Sequence, residues 1–145
     1  MTTVQHMDIT VVESVDRGEL VSLYQSVGWG VYASDPDGLT GAIDGSTYVV
    51  TARHKGELIG LARGLSDDAT IFYLQDILVR PEWQGLGVGT ALLADCLRRY
   101  GHVRQKVLIT DDEEKQHRFY RAMGYRDIAD DSRTRLHAFV QMKGF

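Results

Sequence analysis

Two places in the chain bring together residue types that could do chemistry. The first is Val79-Arg-Pro-Glu-Trp-Gln-Gly-Leu-Gly-Val-Gly-Thr90. An apolar, strand-like run, Ile71-Phe-Tyr-Leu-Gln-Asp-Ile-Leu-Val79, precedes it, and a helical run, Ala91–Tyr100, follows. Glycines let a backbone curl tightly and let a ligand approach without Cβ atoms in the way. A helix start leaves N–H groups without intrahelical partners and carries partial positive charge. Gln84, Gly85, Leu86, Gly87, Val88, Gly89 and Thr90 therefore read as a pyrophosphate cradle. The second place is Asp76, a carboxylate in an otherwise apolar strand run. Burying a charge there is costly without a partner or a purpose. It reads either as a base or substrate-ammonium anchor, or as a structural ion pair with Arg63 on the neighbouring strand.

The spacing narrows the choice of cradle. A dinucleotide fingerprint needs Gly-x-Gly-x-x-Gly straight after the strand. Gly85 and Gly87 fit its first two positions, but the third would be Thr90, and Pro81–Gln84 separate strand from glycines. A Walker loop fails because no Gly-Lys-Ser/Thr follows. The pattern present is Gln84-x-x-Gly87-x-Gly89, preceded by Val79-x-Pro81. Downstream lies Phe119-Tyr120-Arg-Ala-Met-Gly124-Tyr125. The two together, in this order, resemble the acyl-CoA signature and the Phe-Tyr-x-x-x-Gly-Phe/Tyr hallmark of the GNAT N-acetyltransferase superfamily. The resemblance covers Ile71–Tyr125 well and the N-terminal third poorly.

The resemblance implies an acyl-CoA-dependent N-acetyltransferase, with acetyl-CoA as co-substrate, no metal, and direct attack by a primary amine in a ternary complex. It implies that Ile77, Leu78 and Val79 meet the pantetheine arm and that Gln84–Thr90 meet the pyrophosphate. Backbone N–H groups near Leu78 and Val79 could then polarise the thioester carbonyl, as oxyanion donors do elsewhere. It makes Tyr120 the general acid for the departing thiolate, since a phenol near its reference pKa of about 10 can donate at neutral pH; the other reading is a packed tyrosine with a wet hydroxyl. Many relatives place an asparagine about seven residues before this tyrosine, where Glu113 stands here. The family puts acceptor-binding elements between the first two helices, where Trp29 and Tyr32 stand among glycines. These rings either wall a substrate pocket or plug the core edge. The acceptor is a small amine, a lysine side chain or an N-terminal amine. The alternative to an enzyme is a non-catalytic CoA-binding module on the same fold.

Composition sets wider bounds. With 145 residues, one domain over 1–145 is the natural expectation. The formal charge of −4 argues against a nucleic-acid binder, which would usually show a basic face. Cys96 is the single cysteine, so no intramolecular disulfide can form, and its helical setting suggests a packed core thiol. The five histidines show no i,i+4 pair and no cysteine cluster beside them, which argues against zinc. No run of signal or membrane length occurs, so a cytoplasmic protein without a membrane partner is expected, and a homodimer is left open.

The elements that must position these residues follow from pattern. Asp8–Val12 reads as a strand. Asp16 and Glu19 read as a capping box for a helix carrying Leu20, Leu23, Tyr24 and Val27, ended by Gly28. Gly28–Tyr32 is expected as a connecting segment. Asp35-Pro36 opens a short helix. Thr47–Arg53 and Glu57–Arg63 form a hairpin about Lys55-Gly56. After Ile71–Val79, the glycine loop and its helix, Lys106–Thr110 reads as a further buried strand. Asp111–Glu114 start a helix that ends at Gly124 and carries Phe119, Ala122 and Met123 on its apolar face. Tyr125–Ile128 and Leu136–Met142 read as final strands. The order predicts an α+β fold, a mixed sheet flanked by helices. The resemblance adds a mostly antiparallel sheet whose fourth and fifth strands splay apart around the cofactor.

Overall fold

In the computed structural model, which describes residues 6–144, local chemistry sets the element boundaries. Strand β1 (Met7–Val11) leads into α1 (Arg17–Ser26). Asp16 caps α1 by accepting from the Glu19 N–H at 3.0 Å, which satisfies a donor the helix start leaves open. Glu19 turns its own carboxylate to Arg53 of β2 (Tyr48–His54), with bonds of 2.7 and 2.9 Å. Gly28, at φ +81°, ends α1. Trp29–Tyr32 is not a plain connection: α2 (Gly30–Ala33) makes one helical turn there, its Ser34 N–H closing on the Gly30 carbonyl. Helix α3 (Pro36–Asp44) starts on an Asp35 carboxylate that accepts from the Gly38 N–H at 3.1 Å.

The sheet has the order β1-β2-β3-β4-β5, with β3 (Glu57–Ser66), β4 (Ile71–Val79) and β5 (Gln105–Leu108). Neighbours are antiparallel except β4–β5, which is parallel. The β2–β3 hairpin turns at Lys55 (φ +48°) and Gly56 (φ +84°). Two positive φ values in a two-residue loop match the right-handed twist of the flanking strands. Leu58–Gly64 of β3 are buried throughout, because helices cover both faces. On one face Leu20, Leu23, Tyr24, Leu39 and Ile43 gather with Leu61 and Leu78. On the other lies α4 (Val88–Arg99). Gly60 lets α4 approach: a Cβ there would come within 3.1 Å of Val88, Leu92 and the Leu78 carbonyl. Each fully buried side chain of this kind contributes about 1.5–3 kcal/mol, so the faces of β3 anchor the layers.

One irregularity shapes the site. Arg63 pairs with Asp76, but Gly64 pairs with Leu74, so Gln75 is an extra residue in β4. Such a bulge bends the strand and raises its twist. Pairing between β4 and β5 covers Ile71–Leu74 and stops there. Beyond the bulge, β4 continues to Val79 with β3 on one side and, among the described residues, no strand partner on the other. This is the departure of the fourth strand from the fifth that the resemblance implied. Strand β5 differs from expectation: Val107 is exposed and Leu108 half-buried, because it pairs on one side only, through four residues.

The chain divides into two compact units, Met1–Ile109 and Thr110–Phe145. Within the second, α5 (Glu114–Ala122) begins with Glu113 as its extended cap and Glu114 in its first turn, where the dipole favours negative charge. Gly124 follows at φ +97°. Ala122 is exposed and Tyr120 is the buried residue of the helix, so the buried side differs from the expected stripe by a rotation. The two final strands do not form. Instead Asp127 accepts from the Ala129 N–H at 3.0 Å, Asp131 from the Arg133 N–H at 2.9 Å, and Thr134 from the Leu136 N–H at 2.9 Å. Short polar side chains here take up the donors that a ladder would need. Leu136 and Phe139 stand 68% and 94% exposed. Among the described residues, no helix is long and apolar enough to cross a membrane.

Candidate functional site

The open length of β4 presents backbone groups. The Arg80 N–H donates to the Ile59 carbonyl at 2.9 Å. Antiparallel pairs alternate between hydrogen-bonded and non-hydrogen-bonded, so with Gly60 opposite Val79 and Leu61 opposite Leu78, Leu78 bonds to β3. Ile77 and Val79 then turn their N–H and carbonyl groups to the side without a strand. The Val79 carbonyl is taken by Gln84, whose Nε2 donates to it at 2.9 Å. Gln84 thus folds the loop back onto the strand end, and the Val79 N–H stays on the open side.

The loop itself is built by two glycines in left-handed conformation. Pro81–Trp83 form a single 3-10 turn, Gln84 is extended, Gly85 has φ +77° and Gly87 φ +89°. A side chain at either glycine would be strained. Gly87 is the N-cap of α4, and it offers no side chain to the first-turn N–H groups; nor does that turn hold an acidic residue. Helices α1 and α3 begin differently, each on an aspartate carboxylate. Val88, Gly89 and Thr90 therefore present backbone donors that no side chain of α4's own start occupies. Arg80 pins the strand end, with Nε on the Leu58 carbonyl at 2.7 Å and Nη2 on Ser22 Oγ of α1 at 3.0 Å. Such an arrangement can hold a pyrophosphate by backbone groups, with an extended chain running along the edge of β4.

Asp76 lies at the bulge, 5% exposed. Its Oδ2 accepts from Arg63 Nε at 2.7 Å and from the Tyr24 hydroxyl at 2.9 Å. Arg63 reaches on to Ser46 Oγ at 3.3 Å. Burial works against the Arg63 charge, but the charge and hydrogen bond of Asp76 outweigh it and hold the guanidinium above its ordinary pKa. Burial first, and the Asp76 charge second, push the Tyr24 phenol well up, so it stays a donor. Tyr24 also joins the rings: its centroid is 5.8 Å from Trp29 and 5.9 Å from Tyr32, which are 6.3 Å apart. Tyr32 is 39% exposed and Trp29 half-buried. Tyr73 stands nearby on β4, its phenol pushed up by burial and then by Asp76 and Tyr32.

The structure thus brings Trp29, Tyr32 and Asp76 into one cluster, and the linking residue is one the sequence reading did not single out. Tyr24 carries the single hydroxyl in the apolar stripe of α1. A buried hydroxyl needs a partner, as Asp76 needs donors, and that mutual need was the available signal. Cys96 is a core thiol, pushed up to about 12 by burial and then by Asp95. In the second unit, Tyr120 is 9% exposed, with its ring 5.1 Å from Phe119 and 6.0 Å from Tyr125. Burial pushes its phenol up to about 12, against a hydrogen bond with Thr110 that lowers it. It is a protonated donor throughout the neutral range.

Comparison with known proteins agrees with this geometry. A family described as "Acetyltransferase (GNAT) domain" matches residues 24–144. A Gibberella zeae protein named as an acetyltransferase is 30% identical over 109 residues, 73% of this chain. The chain spans 59% of that relative's length, and 57% of a Glycine max histone acetyltransferase to which it is 28% identical. A solved GNAT family protein from Streptococcus pneumoniae superimposes with a TM-score of 0.77 at 27% identity, covering 94% of this chain and 99% of the other. An aminoglycoside N-acetyltransferase in complex with CoA, 19% identical, shares the fold with a TM-score of 0.70 over 95% of each chain. With the bulged and open fourth strand, the glycine-built start of α4 and the matched span in agreement, the chain belongs to the GNAT acetyltransferase family.

Proposed function

We propose that the protein transfers the acetyl group of acetyl-CoA to a compact primary amine by direct attack in a ternary complex. The observation that carries the reading is the start of α4. It is the helix of the sheet-bearing unit that begins on left-handed glycines, without a capping carboxylate, directly after a strand end whose outer edge is unpaired. Gln84–Thr90 hold the pyrophosphate through backbone donors. Ile77 and Val79 pair with the pantetheine amides as an added strand would. The CoA complex of the aminoglycoside N-acetyltransferase supports the same use of this fold.

The chemistry divides among the chain's residues. The Val79 N–H polarises the thioester carbonyl and stabilises its oxygen as the amine nitrogen bonds to the carbonyl carbon. The carbon–sulfur bond then breaks, and Tyr120 protonates the departing thiolate. Asp76 with Trp29 and Tyr32 holds the acceptor as its ammonium; it loses one proton to water before attack and a second as the tetrahedral intermediate collapses, and the Tyr120 phenolate recovers its proton from that water. An aromatic face near a carboxylate suits a cation, at about 0.5–2 kcal/mol for the ring contribution. A neighbour of the same fold was solved with the aminoglycoside sisomicin, which supports an amine-bearing acceptor. The lone buried thiol of Cys96 accords with a reducing cytoplasm.

The test is thiol release from acetyl-CoA with spermidine, tyramine, kanamycin and a lysine peptide, alongside calorimetry with CoA. Turnover with at least one amine is expected. Tight CoA binding with no release from any of them would point to a CoA-binding module instead, and no CoA binding would remove the reading altogether.

A further inference from the structure

We infer that Tyr24 is a positioning residue for the acceptor, fixing both the carboxylate and the rings that receive the amine; this rests on the acetyl-transfer reading above. Three sets of contacts meet at this side chain. Its hydroxyl donates to Asp76 Oδ2 at 2.9 Å. Its ring lies 5.8 Å from Trp29 and 5.9 Å from Tyr32, the latter edge-on. Its backbone carbonyl accepts from the Trp29 N–H at 3.1 Å, closing the turn between α1 and α2. One fully buried residue therefore ties the ring-bearing segment to the strand that carries Asp76, beside the bulge at Gln75.

The two donors to Asp76 fall on the same oxygen. Arg63 Nε and the Tyr24 hydroxyl both address Oδ2, and among the described residues no donor addresses Oδ1. A carboxylate gripped at one oxygen from two directions cannot swing about its Cβ–Cγ bond, so Oδ1 is held in one orientation. Tyr24 itself is an unsuitable proton carrier, since burial and the Asp76 charge keep its phenol protonated. What it supplies is geometry: Oδ1 is the oxygen that takes an ammonium, at a fixed place relative to the partly exposed Trp29 and Tyr32. Arg63 already balances the Asp76 charge, so the ammonium is held by orientation and by the ring faces together, and a bulky or anionic acceptor gains nothing there.

Tyr24→Phe tests this without changing ring volume. The probes are the amine among the four above that wild type turns over fastest, and benzyltrimethylammonium, which cannot be acetylated and is scored as a competitive inhibitor. The expected result is a roughly tenfold rise in KM for the amine and a similar loss of inhibition by the probe. CoA affinity is unchanged and kcat moves by less than about threefold, because the reacting atoms keep their partners. A Tyr32→Ala change, which removes a receiving ring, should raise KM further in the Tyr24→Phe background, since Phe keeps the ring contact with Tyr32 and loses only the hydroxyl's hold on Asp76. An unchanged KM and probe affinity, with only a lower melting temperature, would make Tyr24 a core residue and overturn the inference. A loss confined to kcat would overturn it equally, by putting the hydroxyl in the chemistry. Both are distinct from failure of the acetyl-transfer reading, which would show as absence of thiol release by the wild-type protein.

Discussion

Replacing Asp76 by Asn keeps the side chain's size and one carbonyl-type acceptor but removes its charge. Arg63, 7% exposed, would then be a buried guanidinium whose charged partner at 2.7 Å is gone. Breaking one half of a buried pair typically costs about 3–5 kcal/mol, because the remaining charge is uncompensated. Asn can still accept from Arg63 and Tyr24, which places the cost near the lower end, about 3 kcal/mol. For a chain of this size each kcal/mol lowers the melting temperature by about 2–4 °C, so a fall of roughly 6–12 °C is expected by differential scanning calorimetry. Asp76→Asn with Arg63→Met should recover much of that fall, since it removes the uncompensated buried guanidinium that carries the cost. Thiol-release assays below the transition then separate stability from function. If the carboxylate also orients the acceptor, KM for the amine rises in both variants, and CoA affinity measured by calorimetry stays constant. A melting temperature within about 2 °C of wild type for Asp76→Asn would refute the reasoning, because it would mean that Arg63 carries no dependence on this partner.

Three further outcomes follow from other parts of the molecule. Gly87→Ala places a Cβ at φ +89°, costing about 1–2 kcal/mol of local strain, and should weaken CoA binding at least tenfold by calorimetry with the far-ultraviolet circular dichroism spectrum unchanged. Tyr120→Phe should lower kcat by about 10²–10⁴-fold, the range for a lost general acid; because burial raises this phenol to about 12, the wild-type rate should climb with pH as the amine deprotonates and show no decline from Tyr120 below about pH 11. Glu19 is held below its ordinary value chiefly by its hydrogen bond with Arg53, so its contribution to stability is present above the unfolded carboxylate value near 4.3 and lost as pH falls through the lower folded value. The melting-temperature gap between wild type and Glu19→Gln should accordingly be open at pH 7 and close below about pH 4.

How much of this was legible in the sequence depended on whether the determining contact was local. Caps and turns were readable because their chemistry is contained within a few residues: Asp16, Asp35-Pro36 and Lys55-Gly56 each behave as their types dictate. Strand β4 was readable to the residue because nine apolar-rich positions lie between clear turn signals. The glycine-built turn into α4 was readable from spacing, and its proposed link to acyl transfer came from resemblance rather than from periodicity. What escaped was set at long range. The bulge at Gln75 has no composition signal, since it exists only in the register between β3 and β4. Tyr24 meets Asp76 across 52 positions of sequence. At the other end, the apolar spacing of Leu136–Met142 suggested a strand, but aspartate and threonine side chains just before it satisfy backbone donors locally, and alternation cannot form a ladder by itself.

The position of the buried pair relative to the bulge bears on why a charged residue was retained in this strand at all. An ion pair of this kind is weak evidence for stability, since hydrophobic residues of similar volume often serve as well. What a pair offers that apolar residues do not is register. Arg63 opposes Asp76, and the next paired rung, Gly64 with Leu74, is reached only by passing over Gln75. Gly64 is itself required there, because a Cβ would meet the Phe72 ring at 2.5 Å. A slip of β4 by one residue, which would erase the bulge, would move Asp76 off Arg63 and Tyr24 and strand the guanidinium. A one-residue slip of this part of the strand also turns its side chains to the opposite face, taking Leu78 away from the cluster it shares with Leu20, Leu23 and Leu61. The charged pair and the glycine thus penalise the unbulged register from either side. Since it is the bulge that ends pairing with β5 and opens the edge of Ile77–Val79, the side chain proposed to receive the acceptor also keeps open the edge proposed for the donor.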